Sequence, residues 1–133
     1  MNRVLLILAI SVLSASLLAQ ESPTTPKAER VPIIEGPKIE LAKEHLTIIS
    51  WITTNPGGSP VHYGIVRYGT DPTSLRGTAK SAIRLNPDHS STVFRVRLDN
   101  LKSRTTYYYT VDSIEANGTS DGVVSPINNF ATH

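Results

Sequence analysis

Alternation of apolar and polar side chains is the dominant pattern of the chain from residue 33 onward. In STVFRVRLD, residues 91–99, Phe94, Val96 and Leu98 alternate with polar and charged residues, which is the pattern of a strand with one buried face. Helical periodicity is absent, and clusters of Gly, Pro, Asn and Asp recur at short intervals between the apolar runs, as they do in sandwiches and barrels. The pattern predicts an all-β domain.

Seven segments carry the strand pattern. They span residues 33–41, 46–54, 61–70, 78–83, 91–99, 107–114 and 123–132. The first contains a Gly-Pro pair at 36–37 and is expected at a sheet edge, because proline cannot donate a ladder hydrogen bond. The polar segment 78–83 is expected at another edge, whereas 46–54 is apolar on both faces and is expected to be central, with Ile49 and Trp51 facing the core. The segments together predict a seven-stranded antiparallel β-sandwich.

The first nineteen residues follow a different pattern. Arg3 precedes an unbroken apolar run at 4–10, and small residues follow where a signal peptidase would cut, near Ser16 or Ala19. This layout predicts a secretory signal peptide over residues 1–19, because a membrane span needs about 20 mostly apolar residues. The mature chain is therefore expected to be secreted, extracellular or periplasmic, with no membrane span after cleavage.

Residues 20–32 are polar and contain prolines, so they are predicted to form an extended linker to a single domain at 33–133. Cleavage of the signal peptide would leave 12 of the 13 basic residues against 11 acidic ones, which is a formal net charge of +1. This balance argues against nucleic acid as a partner. The chain has no cysteine, which excludes disulfides, thiolate metal sites and thiol catalysis.

Residues suited to catalysis or metal binding are scattered along the sequence. The four histidines are His45, His62, His89 and His133. They are expected at solvated positions on different edges, whereas a metal site needs three or four converging ligands. Ser90 follows an Asp-His pair at 88–89, but neighbouring side chains on a turn point in different directions, so a catalytic triad is not expected. The sequence predicts no catalytic residue, no metal site, no cofactor and no enzymatic activity.

Two features of the surface leave alternatives open. Arg95 and Arg97 share the outward face of one strand and could contact an acidic polymer, although alternating charge is also typical of a solvated sheet face. Asn117-Gly118-Thr119 fits the N-glycosylation acceptor pattern at Asn117. The Asn-Gly pair is also a favoured turn sequence.

A tyrosine-rich corner carries the resemblance to a known family. Leu101, Thr105 and Tyr107 in LKSRTTYYYTV, with Trp51 and the closing FAT at 130–132, resemble the fibronectin type III domain. The resemblance implies an immunoglobulin-like fold in which Trp51, Leu101, Thr105 and Tyr107 determine the fold. It also implies a tyrosine corner, in which the hydroxyl of Tyr107 bonds the backbone of the sheet crossing.

Within that superfamily, VRYGTDPTSL at 66–75 and LKSRTTYYYTV at 101–111 are most similar to the non-catalytic N-terminal domain of purple acid phosphatases. Ser103 stands where that family usually has proline. The family's metal-binding motifs, DxH, GDxxY, GNHE and GHxH, belong to a separate catalytic domain, and none occurs in this sequence.

Any binding site is expected in the loops at one end of the sandwich, 55–60 and 115–122, because rigid scaffolds usually present function on loops. The candidate binding residues are Asn55, Gly57, Gly58, Asn117, Thr119 and Asp121. The leading hypothesis is an exported module that binds an unidentified protein or polysaccharide at the cell envelope or outside the cell. A second hypothesis is a detached phosphatase front domain acting with a separate metallophosphatase chain. A third is a structural spacer or assembly subunit that pairs an edge strand with another chain.

Overall fold

The computed structural model describes residues 26–133, which contain eight strands and no helix. The strands are β1 (Ile33–Ala42), β2 (Thr47–Thr54), β3 (Val61–Gly69), β4 (Gly77–Arg84), β5 (Ser91–Leu98), β6 (Thr106–Glu115), β7 (Ser120–Val124) and β8 (Asn128–Ala131). Over this part of the chain no helix has the length and hydrophobicity required to cross a membrane. The predicted signal peptide and residues 20–25 of the predicted linker lie outside the described residues.

The strands form two packed antiparallel sheets. The three-stranded sheet has the order β1-β2-β5, and the five-stranded sheet has the order β4-β3-β6-β7, with β8 also pairing with β6. This arrangement confirms the predicted all-β sandwich. It also confirms that β1 and β4 are edge strands and that β2 is central. Gly36 and Pro37 interrupt the register of β1 with β2 between Glu35 and Lys38, as expected for a proline-bearing edge.

The strand count differs from the prediction in the last segment, 123–132, which forms two strands. β7 ends at Val124, and pairing with β6 resumes at Asn128. Between them, the Ser125 hydroxyl accepts a hydrogen bond from the Val111 amide at 2.9 Å, and Pro126 has no amide hydrogen to donate to the ladder. The sheet edge is therefore interrupted, and eight strands result.

The core lies between the sheets and is centred on a stacked aromatic pair. Trp51 and Phe94 are register partners on β2 and β5, with ring centroids 5.4 Å apart. Gly64 of β3 faces them, and a Cβ there would lie 3.0 Å from Phe94 and 3.1 Å from Trp51. Glycine at this position allows the second sheet to approach the aromatic pair. The core cluster comprises Ile49, Trp51, Val66, Phe94, Val96, Leu98, Leu101, Tyr107, Tyr109, Val111 and Phe130.

The crossing from β5 to β6 contains the contact expected of a tyrosine corner. The hydroxyl of Tyr107 accepts a hydrogen bond from the Lys102 amide at 2.8 Å, and Leu101 is buried beside it. Thr105 secures the other side of the turn, because its hydroxyl donates to the Ser103 carbonyl at 2.8 Å. Ser103 therefore supplies a carbonyl that holds the corner in the place where the resembling family usually has proline.

Residues 26–32, here called the N-terminal segment, were predicted to be part of an extended linker, but they contact the sandwich. The Ala28 amide donates to the Pro56 carbonyl at 2.9 Å, and the Thr54 amide donates to the Pro32 carbonyl at 3.2 Å. Val31 is buried. Packed structure therefore begins before Ile33, because this segment supplies backbone partners and an apolar side chain to the end of the sandwich.

Candidate functional site

The two loops predicted to bind a partner lie together at one end of the sandwich. β3 and β6 are adjacent, with His62 opposite Glu115, so the loop at 55–60 and the turn at 116–119 emerge side by side. The Ser59 amide donates to a Glu115 carboxylate oxygen at 3.0 Å, and the Ala116 amide donates to the Val61 carbonyl at 3.1 Å. The predicted proximity of these loops therefore follows directly from the sheet order.

A buried polar cluster lies beneath these loops, formed by His62, Ser113, Glu115 and Asp121, and the more exposed Lys27 contacts it from the N-terminal segment. His62 Nδ1 lies 2.7 Å from Asp121 Oδ2, and the side chains of both residues have no exposed surface. His62 Nε2 lies 3.0 Å from the Gly57 carbonyl oxygen. Each ring nitrogen of His62 is therefore within hydrogen-bond distance of an oxygen.

Asp121 is the centre of the polar cluster. Ser113 Oγ donates to Asp121 Oδ2 at 2.7 Å, and Lys27 Nζ donates to Asp121 Oδ1 at 2.5 Å. Burial by itself raises the pKa of Asp121, but hydrogen bonds from His62, Lys27 and Ser113 outweigh that effect and hold the pKa below its ordinary value. The carboxylate therefore acts as an ionised acceptor that connects β3, β6 and β7 to the N-terminal segment.

The serine, histidine and aspartate of this cluster do not form a catalytic triad. In a triad the serine hydroxyl bonds the histidine nitrogen opposite the one that bonds the acid. Here Ser113 bonds Asp121, and His62 Nε2 faces the Gly57 carbonyl. All three side chains are buried. The arrangement stabilises the end of the sandwich and offers no activated nucleophile.

Gly57 and Gly58 are required by close approaches to their loop, of the N-terminal segment at Gly57 and of the Glu115 side chain at Gly58. Their φ angles are +61° and +77°, in the left-handed region that glycine adopts readily. A Cβ at Gly57 would overlap the Pro26 carbonyl oxygen, and one at Gly58 would overlap a carboxylate oxygen of Glu115. These two predicted binding residues therefore have a structural role.

The other predicted loop residues are also engaged within the domain. Asn55 Nδ2 donates to the carbonyls of Asn86, at 3.0 Å, and His89, at 2.9 Å. The side-chain oxygen of Asn117 accepts a hydrogen bond from the Thr119 amide at 2.9 Å, and both residues are exposed in the turn between β6 and β7. Placing Asp121 in a loop was wrong, because it lies in β7 and faces inward.

The histidines differ in their environments. The expectation of solvated surface positions was wrong for His62, which is fully buried, whereas His89 and His133 are exposed. His45 Nδ1 lies 2.8 Å from the Leu101 carbonyl oxygen. Across residues 26–133 no group of three or more His, Cys, Asp or Glu side chains could hold a metal ion. Ser90 and the Asp-His pair at 88–89 lie in an exposed loop.

The role of His62 could have been found from the strand pattern. His62 has the same parity along β3 as Val66 and Tyr68, which the alternation places toward the core. Its polarity suggested solvent exposure, but a buried polar side chain is tolerated where it has hydrogen-bond partners. Those partners, Asp121 and the Gly57 carbonyl, come from distant or irregular parts of the chain.

The outer face of the three-stranded sheet carries paired charges. Arg95 Nε lies 2.6 Å from Glu40 Oε2, and Arg97 Nε lies 2.7 Å from Asp99 Oδ1. A third pair, Lys38 with Glu35, is separated by 3.2 Å. Arg95 and Arg97 do share an outward face, as predicted, but each is already neutralised by a carboxylate.

On the outer face of the five-stranded sheet, positive charges are less completely paired with carboxylates. Arg67 lies 3.6 Å from Asp112, and burial raises the pKa of Asp112 although Arg67 acts in the opposite direction. Two further cations, Lys80 and Arg84, project from β4 on the same side.

The sheet order, the tyrosine corner and the central tryptophan define an immunoglobulin-like sandwich of the fibronectin type III class. Three similar solved structures are as follows. The sensor domain of the anti-sigma factor RsgI4 of Pseudobacteroides cellulosolvens, in a short form, has 20% identity and a TM-score of 0.50 over 84% of this chain and 95% of that one. The solution structure of the same sensor domain has 17% identity and a TM-score of 0.51 over 77% and 74% of the two chains. The fn3 domain of human contactin 1 has 16% identity and a TM-score of 0.49 over 88% of each chain.

The family is shown by a match at the level of sequence. Residues 35–132 match the family described as purple acid phosphatase, N-terminal domain. The chain belongs to this family, which confirms the resemblance found in its tyrosine-rich corner. No curated protein matches the sequence.

Proposed function

We propose that the chain is an exported, non-catalytic module that binds a protein or a polysaccharide at the cell envelope or outside the cell. The observation that carries this proposal is the extent of the family match. Residues 35–132 include all or nearly all of each strand from β1 to β8, so the sandwich as a whole corresponds to a domain that is distinct from the catalytic domain of the phosphatases. Export is supported by the signal-peptide pattern at 1–19.

The buried polar cluster supports a binding role in which the scaffold is rigid. Asp121 accepts three side-chain hydrogen bonds, from His62, Ser113 and Lys27, and these contacts join the end loops to the N-terminal segment. A preorganised surface loses less conformational entropy on binding than a mobile one. The structure therefore suits recognition by a fixed surface better than recognition by adaptable loops.

A pull-down from the source organism tests the proposed function. The full chain, produced with its own leader and a C-terminal tag, would be incubated with envelope extract and with insoluble polysaccharides, and the eluates analysed by mass spectrometry and sugar analysis. Specific recovery of one protein or glycan is expected. Recovery of neither, from protein with an intact melting transition, would contradict the binding function.

A second candidate function follows from the family match itself. The domain could act with a separately encoded metallophosphatase chain, which the pull-down would then recover. By itself the purified chain is expected to release no phosphate from a chromogenic ester, with or without added iron or zinc. Metal-dependent turnover by the pure chain would contradict the assignment of a non-catalytic role.

A further inference from the structure

The outer face of the five-stranded sheet has an excess of positive charge. Among residues 26–133, neither Lys80 nor Arg84 has a carboxylate oxygen within 4.0 Å. Arg67 has one acidic partner, Asp112, on the same face. The three cations described on the other outer face all have partners. The difference between the faces indicates that this one is complementary to a negatively charged ligand.

The cations lie along the edge of the sheet in a regular array. β4 pairs with β3 without a register shift, placing Lys80 opposite Ile65 and Arg84 opposite Val61. The inward residues of β4 include Ala79 and Ile83, which pack against the core. The alternation therefore directs both cations to the outer face. Each lies two residues from Ala82, on opposite sides of it, so the cations are separated by about 13 Å at about 3.3 Å per residue.

Two tyrosines lie on the same outer face. Tyr63 of β3 is opposite Ile114 of β6, and Tyr108 is six positions from Ile114 along β6, so the tyrosines are separated by about 20 Å along the strands. Both are half-buried. Lys80 Nζ lies over the Tyr63 ring, 5.2 Å from its centre, which is a cation–π contact with one face of the ring.

Between the tyrosines, the face offers groups that bond hydroxyls and carboxylates. Thr110 is opposite Arg67, and the Arg67–Asp112 pair supplies both donors and acceptors. An aromatic ring combines an apolar surface with a polar tip, and arginine binds carboxylates through paired hydrogen bonds. A polymer of sugar rings that carries carboxylates matches this combination.

A protein partner fits this face less well. The core of a protein interface is apolar and becomes fully desolvated. Among the large hydrophobic side chains that are exposed within residues 26–133, Val124, with 71% exposure, is on this face at its β7 margin, and Ile127, with 51%, lies between β7 and β8. Leu41 and Val93 belong to the other sheet. The centre of the five-stranded face is instead polar, with its apolar Ile65 already buried.

We propose that the outer face of the five-stranded sheet binds an acidic polysaccharide. Its sugar rings pack against Tyr63 and Tyr108, and its carboxylates pair with Lys80 and Arg84. This inference rests on the proposed function, for which it names a ligand class and a surface. It also places the binding site on a sheet face and not in the end loops, because the polar groups of those loops are engaged within the domain.

Binding to defined polymers tests this inference. The full chain would be titrated by calorimetry with polygalacturonate, with neutral dextran and with poly-L-glutamate at physiological ionic strength. Polygalacturonate should bind, and dextran should not. Poly-L-glutamate should bind more weakly, because it has the charge without the sugar rings. Equal affinity for poly-L-glutamate, or no binding of polygalacturonate, would overturn the inference.

Two double variants, each of which removes two positive charges, make the test specific for this face. K80Q/R84Q should weaken polygalacturonate binding by at least about tenfold, because two charge-assisted contacts are lost. R95Q/R97Q, on the opposite face, should change it by less than about twofold, because each arginine is already paired with a carboxylate. Equal losses in the two variants would show that general electrostatic attraction, and not this face, causes the binding.

A separate variant tests the contribution of the aromatic rings. Tyr108→Ala should weaken polygalacturonate binding while leaving its dependence on salt unchanged, because a neutral side chain is removed. Unchanged affinity would contradict the role of the tyrosines. Failure of this inference is distinguishable from failure of the proposed function: a pull-down partner that K80Q/R84Q still retains would keep the binding function and reject this surface.

Discussion

The Nδ1 atom of His62 lies 2.7 Å from Oδ2 of Asp121 in a region where neither side chain is exposed. The two residues belong to β3 and β7, which are separated in the sheet by β6. Ser113 of β6 fills the space between them and donates to the same aspartate oxygen. This contact thus connects three strands at the end of the domain that the N-terminal segment covers.

Replacement of Asp121 should destabilise the whole domain. In Asp121→Ala, the buried side chains of His62 and Ser113 would lose their acceptor, and Lys27 would lose its closest carboxylate. Each buried donor left without an acceptor costs about 1–3 kcal/mol, so the loss of both contacts should lower the free energy of unfolding by about 2–6 kcal/mol in urea titrations. Asp99→Ala is the control, because the exposed Arg97–Asp99 pair is worth about 1 kcal/mol or less. Equal effects of the two variants would contradict the central role of Asp121.

The stability contributed by Asp121 should depend on pH in the acid range. The pKa of Asp121 in the folded protein lies below its ordinary value of 3.8. Its contribution is therefore complete above that value and is lost as the pH falls through the folded-state pKa. The amide in Asp121→Asn does not titrate. The difference in free energy of unfolding between the wild type and this variant should therefore decrease as the pH is lowered below 3.8.

Urea titrations of both proteins over the acid range would measure this decrease. Asp112, whose pKa is raised chiefly by burial and to a smaller extent by the charge of Asp121, contributes with the opposite sign. The effect of burial is present in both proteins and cancels from the difference. A difference that is constant with pH would contradict the assignment of Asp121 as a stabilising carboxylate.

Removal of the Tyr107 hydroxyl should weaken the crossing between the sheets. In Tyr107→Phe, the Lys102 amide loses the acceptor that lies 2.8 Å away, and an unpaired buried donor costs about 1–3 kcal/mol. Tyr108→Phe is a matched control on the outward face of the same strand and should change the free energy of unfolding by less than about 0.5 kcal/mol. An unchanged denaturation midpoint for Tyr107→Phe would refute the tyrosine corner.

Two glycine variants should separate backbone strain from steric overlap. Gly57 and Gly118 both have positive φ angles, +61° and +91°, so alanine at either position carries a strain of about 1–2 kcal/mol. A Cβ at Gly118 meets open space, whereas one at Gly57 overlaps the Pro26 carbonyl oxygen. Gly57→Ala should therefore lower the melting temperature more than Gly118→Ala does.

Limited trypsin digestion would report on the same pair of variants. Displacement of the N-terminal segment in Gly57→Ala should accelerate cleavage after Lys27, which the wild type holds against Asp121. Gly118→Ala should digest at the wild-type rate. Identical digestion of the two variants would show that Gly57 is not needed for docking of the segment.

The strands of this fold could be predicted because their information is local. Alternation along β5 and β6 identifies the buried face, and Gly36-Pro37 identifies an edge without knowledge of the neighbouring strands. The division of the last segment into β7 and β8 was missed although Val123 and Phe130, which both face the core, are an odd number of positions apart and cannot face the same side of one continuous strand. The interruption depends on the Ser125 hydroxyl bonding the Val111 amide, which is a contact between distant positions.

The polar cluster could be predicted only in part. The parity of His62 along β3 places it inward, but its acceptor Asp121 is 59 residues away and lies between Gly118 and Gly122, in a stretch whose composition is typical of a turn. Lys27 is 94 residues from Asp121 and lies in a segment whose composition is typical of a linker. Composition describes the average behaviour of such a segment, whereas specific contacts with Asp121 and with the backbone of Thr54 and Pro56 hold this one in place.

The docking of the N-terminal segment also determines where the two ends of residues 26–133 leave the sandwich. Lys27 is held beside the turn that follows β6, whereas the Thr132 amide donates to the Thr105 carbonyl just before β6 begins. β6 has ten residues, so these positions are about 30 Å apart at about 3.3 Å per residue. Structures joined before residue 26 and after residue 133 would thus leave from opposite poles, with the face of Tyr63 and Lys80 along the flank. A long polymer could then lie along this flank, parallel to the line between the two poles, without crossing either end of the chain.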